Sequence, residues 1–172
     1  MIILLMSVLS VYAIHEAILS PATFQFYEGS SHEFPITVTN NNTSSNYIRN
    51  ILIETQGLSI TGVQNNVLWP YTNTDDTINY TTSISVIGPG ASQPFKFNGD
   101  LGLVSSDTDY LFTVTTRDET EATNTETITL TVLNDSGNPI VTVNKPSDYG
   151  IINNKSVFFS LSIEDPDSGL NL

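Results

Sequence analysis

The stretch TINYTTSISV, residues 77 to 86, places Ile78, Tyr80, Thr82, Ile84 and Val86 on one side of an extended chain and Thr77, Asn79, Thr81, Ser83 and Ser85 on the other. An apolar period of two belongs to a strand with one buried face, whereas a helix needs apolar residues three and four apart. The alternation recurs at Phe34, Ile36 and Val38, at Phe95 and Phe97, at Tyr110, Phe112 and Val114, and at Ile128, Leu130 and Val132. Weaker strands are expected at Thr23 to Tyr27, Tyr47 to Thr55 and Leu58 to Val63. Between them lie NNNTSSN, NTDD, GPGAS, SSDTD and EATN, whose residues supply the left-handed or fixed backbone angles that reversals need. About eight short strands of this kind predict an all-β, antiparallel β-sandwich, two apolar faces closing on one core.

Composition agrees, since roughly a third of the 172 residues are Thr, Ser or Asn. Five Lys and Arg against eighteen Asp and Glu leave a formal net charge of -13, which repels phosphate backbones and excludes nucleic acid as a partner. There is no Cys, so neither a disulfide framework nor a thiolate metal site can form. The first residues, MIILLMSVLSVYAIHEA, are mostly apolar from Ile2 to Ile14, which as a helix is about 20 Å, short of a hydrocarbon core of about 30 Å. They read as a signal-peptide core with a peptidase site after Ala13 or after Ala17, although no Lys or Arg precedes them. An uncleaved membrane anchor is the alternative, and the expected location is extracellular, at the cell surface.

LTVLNDSGNPIVTV, residues 130 to 143, sets a polar segment between two alternating runs. Beyond Pro139 the chain again runs strand, Pro and Gly turn, strand and acidic turn, so Gly137-Asn138-Pro139 is expected to be a joint between domains. PIVTV, a later Pro and Gly, and FFSLSIEDPDSG resemble the opening of the immunoglobulin-like repeats of large archaeal and bacterial surface proteins. ITVTNNN and YLFTVTTRDETEATNTETITLTVLND are similar to the second and the last two strands of the same broad group. The resemblance implies a tandem extracellular module with no catalytic residue. The organisation expected is a signal peptide or hydrophobic segment over 1–17, an immunoglobulin-like sandwich over 18–136 and the start of a second, incomplete immunoglobulin-like domain over 137–172. Asp107-Thr108-Asp109-Tyr110 resembles the tyrosine corner of such domains; the alternative is a core Tyr within a strand.

A looser likeness to cadherin domains, which bind calcium at an acidic joint, rests on Asn134 and Asp135. Val132 stands where that pattern has its first Asp, and Pro139 is out of register. Calcium takes six to eight oxygens, and Asp118, Glu119, Glu121 and Asp135 are the candidate ligands if the strand ends that carry them meet. The competing reading is that these acids serve solubility and that no cofactor is bound. Asp165 to Gly169 lacks the later acidic ligand of a calcium loop and reads as a polar turn.

Catalytic signatures are absent from the sequence. His15 sits at the edge of the hydrophobic segment and His32 in a Ser-rich turn, which gives no His pair for zinc and no evident base for a Ser nucleophile. Neither Gly-x-Ser-x-Gly nor a phosphate-cradling Gly loop occurs. Asn-x-Ser/Thr sequons at Asn41, Asn42, Asn79, Asn134 and Asn154 permit glycosylation. Two functions remain: a tandem spacer whose partners are neighbouring modules of the same protein or assembly, and an adhesin module that binds a glycan or protein through Trp69, Tyr71 and Tyr80. Exposure separates them, because aromatics clustered on a surface favour binding and buried ones favour a spacer.

Overall fold

A computed structural model describes residues 15–64, 66–135, 140–145 and 160–164. They form β1 (Ala17–Ser20), β2 (Thr23–Tyr27), β3 (Ser31–Asn40), β4 (Ile48–Thr55), β5 (Leu58–Val63), β6 (Tyr71–Asn73), β7 (Thr77–Thr81), β8 (Ser92–Leu101), β9 (Thr108–Asp118), β10 (Thr123–Leu133), β11 (Ile140–Lys145) and β12 (Ser160–Glu164). One sheet has the order β1-β3-β8-β5 and the other β2-β10-β9-β4-β7-β6. Every pairing is antiparallel except β2 with β10, which is parallel. β11 and β12 pair only with each other, as a separate two-stranded sheet. The described residues include no helix long and apolar enough to cross a membrane.

The alternating residues make the core, as their period requires. Phe34, Ile36 and Val38 from β3 meet Ile51 and Ile53 from β4, Phe112 and Val114 from β9 and Ile128 and Leu130 from β10, all fully buried. Phe34 is the hub: its ring stands edge-on to Phe24, Phe26 and Phe112 and stacks on Phe97 at 5.2 Å between centroids. Burial of each such side chain contributes about 1.5–3 kcal/mol, so the face-to-face packing of the two sheets is the main source of stability.

Four expectations need correction. TINYTTSISV does not continue as one strand to Val86: the Thr82 hydroxyl accepts hydrogen bonds from the backbone N–H groups of Ile84 (3.3 Å) and Ser85 (2.9 Å). A side chain that bonds its own following backbone turns the chain out of the ladder, and Ile84 is left 79% exposed. The sandwich does not begin at residue 18, because His15 and Ala17 are buried in it and Ala17 opens β1 opposite Asn40. His32 lies within β3, not in a turn, and stacks on Phe26 at 4.0 Å. Tyr110 forms no tyrosine corner, since its hydroxyl makes no hydrogen bond among the described residues. Its half-buried ring covers Gly57, where φ is +73° and a Cβ would lie 2.2 Å from the ring.

The strand directions give the sandwich two distinct ends. Ala17, Asn40, Ile48, Thr81, Ser92, Asp118 and Thr123 stand at the end where the chain enters. Tyr27, Thr55, Leu101, Thr108 and Leu133 stand at the end where it leaves.

Candidate functional site

At the entry end Asp118 closes the β9–β10 hairpin. Its Oδ1 accepts from the backbone N–H of Thr120 (2.8 Å) and Ala122 (3.0 Å) and from the Thr120 hydroxyl (2.8 Å). Its Oδ2 accepts from Asn46 Nδ2 at 2.6 Å and lies 3.3 Å from His15 Nδ1, while His15 Nε2 is 2.8 Å from Thr116 Oγ1. Burial pushes the Asp118 carboxyl up, but the donors from Asn46, Thr120 and Ala122 outweigh it and hold its pKa down at about 2. Thr116, His15 and Asp118 follow one another in the order of a nucleophile, base and orienting acid. The exposures of 0% for His15 and Thr116 and 2% for Asp118 leave no path for a substrate. What the network does is fasten the incoming chain to the hairpin, aided by Ala17 N–H donating to Asn124 Oδ1 at 2.9 Å. Sequence reasoning placed His15 at the edge of the N-terminal hydrophobic segment, outside the sandwich, whereas it is one of the most deeply buried polar groups of the fold.

The four acids considered for calcium are not brought together. Asp118, Glu119 and Glu121 belong to the entry-end hairpin, and Asp135 follows β10 at the exit end. Eleven residues of β10 separate the two ends, about 35 Å at the usual rise of an extended chain. Even the three hairpin acids are otherwise engaged: Glu119 accepts from Tyr47 N–H at 2.6 Å and Glu121 pairs with Arg117 at 2.9 Å. Among the described residues no group of three or more His, Asp or Glu is arranged to hold a metal ion. Asp165 to Gly169 lies outside the described residues.

The aromatics proposed as ligand contacts face inward. Trp69 and Tyr80 are fully buried, with Trp69 edge-on to Phe95 at 5.4 Å, and the Tyr71 hydroxyl donates to Val63 O at 3.3 Å. By the exposure criterion this favours a spacer over a stacking platform. Of the sequons, Asn42 is exposed, Asn41 donates to Glu16 Oε2 at 2.6 Å, Asn79 accepts from Asn50 Nδ2 at 2.6 Å, and Asn134 donates to Glu28 Oε1 at 3.3 Å and to Val104 O. Asn154 lies outside the described residues.

A polar groove on the β5 flank was not foreseen. β5 bends at a bulge between Ile60 and Gly62 and ends at Val63 opposite Phe97; Gln64 N–H makes one last bond to Lys96 O at 3.0 Å. The chain then departs toward Trp69, and Pro94, with no N–H, cannot extend the ladder along β8. Two adjoining cavities of about 260 and 270 Å³ result, sharing Gln64 and Lys96. The smaller reaches Tyr80, whose buried hydroxyl has no hydrogen-bond partner among the described residues. Burial, with Tyr71 beside it, pushes the Tyr80 phenol well above its ordinary value, so it stays protonated and is a donor.

No family model and no curated protein matches the chain. Among solved structures it is similar to an uncharacterized protein from Nocardia farcinica with an immunoglobulin-like fold, at 11% identity and a TM-score of 0.52, covering 69% of this chain and 97% of that one. It is also similar to a chain of a type I cohesin–dockerin complex from Clostridium thermocellum, at 12% identity and a TM-score of 0.51, covering 70% of this chain and 94% of that one. The fold is an immunoglobulin-like β-sandwich. At such identities the likeness concerns the fold alone, and the residues of the groove and of the entry-end network are argued from this chain's own geometry.

Proposed function

We propose that this chain is a non-enzymatic, extracellular structural or adhesion module, an immunoglobulin-like sandwich acting as a spacer in a tandem array on a cell-surface or filament protein. The observation that carries the reading is the polarity of the sandwich: the chain enters beside Asn40 and Asn124 and leaves past Leu133 at the opposite end. Modules entered and left at opposite ends string out end to end, whereas entry and exit side by side would fold the array back on itself. The separate β11–β12 ladder beyond residue 139 supports a second module beginning there. Burial of Trp69 and Tyr80 supports a spacer, and the single His–Asp pair among the described residues is sealed in the core. The similar Clostridium chain belongs to a cohesin–dockerin complex, a precedent for such a sandwich meeting protein partners.

The test has two arms. Antibodies raised against residues 15–135 should label intact source cells; labelling only after permeabilisation overturns the extracellular assignment. Small-angle scattering of the 172-residue chain should give a longer maximum dimension than the sandwich alone. A single compact particle of the same length as residues 15–135 refutes the end-to-end arrangement.

A further inference from the structure

We infer that Glu28 and Asp107 clamp the first two residues after β10, Asn134 and Asp135, onto the exit end of the sandwich, so that an array pivots beyond residue 135 and not at the end of the strand. The use of the clamp in an array rests on the spacer reading; the clamp itself does not.

The strand directions bring its parts together. β2 runs parallel to β10 with Tyr27 opposite Leu133, so Glu28, the residue after β2, falls beside Asn134, the residue after β10. The parallel ladder carries on for one more bond, from Glu28 N–H to Leu133 O at 3.0 Å. β9 runs antiparallel to β10 with Thr108 opposite Val132, which puts Asp107 on the other side of the departing chain. The chain therefore leaves between two carboxylates.

Both carboxylates hold it. Glu28 Oε1 accepts from Asp135 N–H at 3.1 Å and from Asn134 Nδ2 at 3.3 Å, and Asp107 Oδ1 accepts from Asn134 N–H at 3.0 Å. Glu28 Oε2 accepts from Val104 N–H, and Asn134 Nδ2 also donates to Val104 O; Val104 in turn is packed against the core. Backbone donors past the last rung of a ladder need other partners, and a carboxylate supplies a charge-assisted bond stronger than a neutral one. Three N–H donors already use most of the about four lone-pair sites of the Glu28 carboxylate, which makes the cluster a clamp and not a cation site.

The clamp shortens the tether. β10 ends at Leu133 and β11 opens at Ile140, so six residues join them. With Asn134 and Asp135 held, residues 136–139 alone set where the next module can lie, a reach of at most about 14 Å in place of about 21 Å.

The experiment is nitrogen-15 relaxation and amide exchange on the 172-residue chain. Order parameters should stay at about 0.85, the value of rigid backbone, from Ile128 through Asp135. Glu28→Ala should lower the order parameter of Asp135 below about 0.6 and speed exchange of its amide about tenfold, equivalent to about 1.4 kcal/mol, with Ile128 to Val132 unchanged. Asp107→Ala, at an exposed position, should speed exchange at Asn134 by a similar factor and leave Asp135 as it is, so the test survives if Glu28→Ala fails to fold. Order parameters at Asn134 and Asp135 well below those of Ile128 to Val132 in the unaltered chain overturn the clamp. So do unchanged values in both variants, or a loss spread evenly through Ile128 to Val132. The antibody labelling that would overturn the extracellular spacer leaves all of these values untouched, so the two readings can fail separately.

Discussion

Replacing Asp118 by Ala should be the most damaging single change at the entry end. The substitution removes the acceptor for Asn46 Nδ2, Thr120 N–H, Thr120 Oγ1 and Ala122 N–H and leaves His15 Nδ1 facing an empty position in the core. Hydrogen bonds to a charged group contribute about 1.5–3 kcal/mol each but are not additive within one network, and a buried donor left without its acceptor typically costs about 1–3 kcal/mol. A loss of about 3–5 kcal/mol is expected at pH 7, a large fraction of the roughly 5–15 kcal/mol that holds a domain folded. The pH dependence has a definite sign. The folded-state pKa of about 2 lies below the ordinary 3.8, so the carboxylate's contribution is complete above about pH 5 and is lost as pH falls through 2. By linkage that contribution is on the order of 2 kcal/mol. Urea unfolding of wild type and Asp118→Ala at pH 7 and again near pH 2 measures both quantities: the gap between them should narrow by that amount at the lower pH. A cost under about 1 kcal/mol at pH 7, or a gap that does not change with pH, refutes the account of the network.

A chain that starts at Ile18 should melt well below one that starts at Ile14. It loses both His15 contacts and the Ala17 bond to Asn124, together about 2–4 kcal/mol by thermal or urea unfolding. Correspondingly, N-terminal sequencing of exported material should read Ile14 and not Ile18. Calcium and chelator should give the same melting midpoint, because the acids that would share an ion stand at opposite ends of β10; a rise with calcium would reveal a site outside the described residues. Gly57→Ala should destabilise by about 1–3 kcal/mol in denaturant unfolding, since an L side chain at φ +73° is strained and its Cβ meets Tyr110.

The fold was legible where a strand's two faces differ in polarity. Phe34, Ile36 and Val38 alternate with Pro35, Thr37 and Thr39, and burial follows that alternation. Alternation failed at Ile84 and Val86 because the pattern records what a strand would bury, not whether the backbone stays in the ladder, and a Thr82 hydroxyl that caps its own turn looks like any other Thr. The entry-end network was illegible for a different reason. His15 is 103 residues from Asp118, and its neighbours resemble the end of an export signal. The Asp118-x-Thr120 turn chemistry is local, yet the sequence marks the reversal only through EATN, residues 121–124, and offers Asp118 as a calcium ligand. The calcium candidates clustered in sequence terms as acids near strand ends, and only the strand directions reveal which end each occupies. The groove depends on where β5 stops relative to β8, a matter of register that composition does not encode.

The β11–β12 ladder sets a last expectation. Its register runs from Ile140 opposite Glu164 to Lys145 opposite Ser160, with an irregularity between Val143 and Lys145, and neither strand joins a sandwich sheet. A lone two-stranded ladder is marginal in water, because three or more strands or a covering layer are needed to bury one of its faces. The β10 strand, by contrast, is bonded on both sides, to β9 and to β2. In the 172-residue chain, amides of Val141 to Val143 and Leu161 to Ile163 should therefore exchange with deuterium orders of magnitude faster than those of Ile128 to Val132. If further strands of an array complete this second module, a longer chain that includes them should bring the two sets of rates together. Equal protection of both sets in the monomeric 172-residue chain would mean that the ladder is stabilised by the first sandwich, and the joint at Gly137-Asn138-Pro139 would then not separate two independent modules.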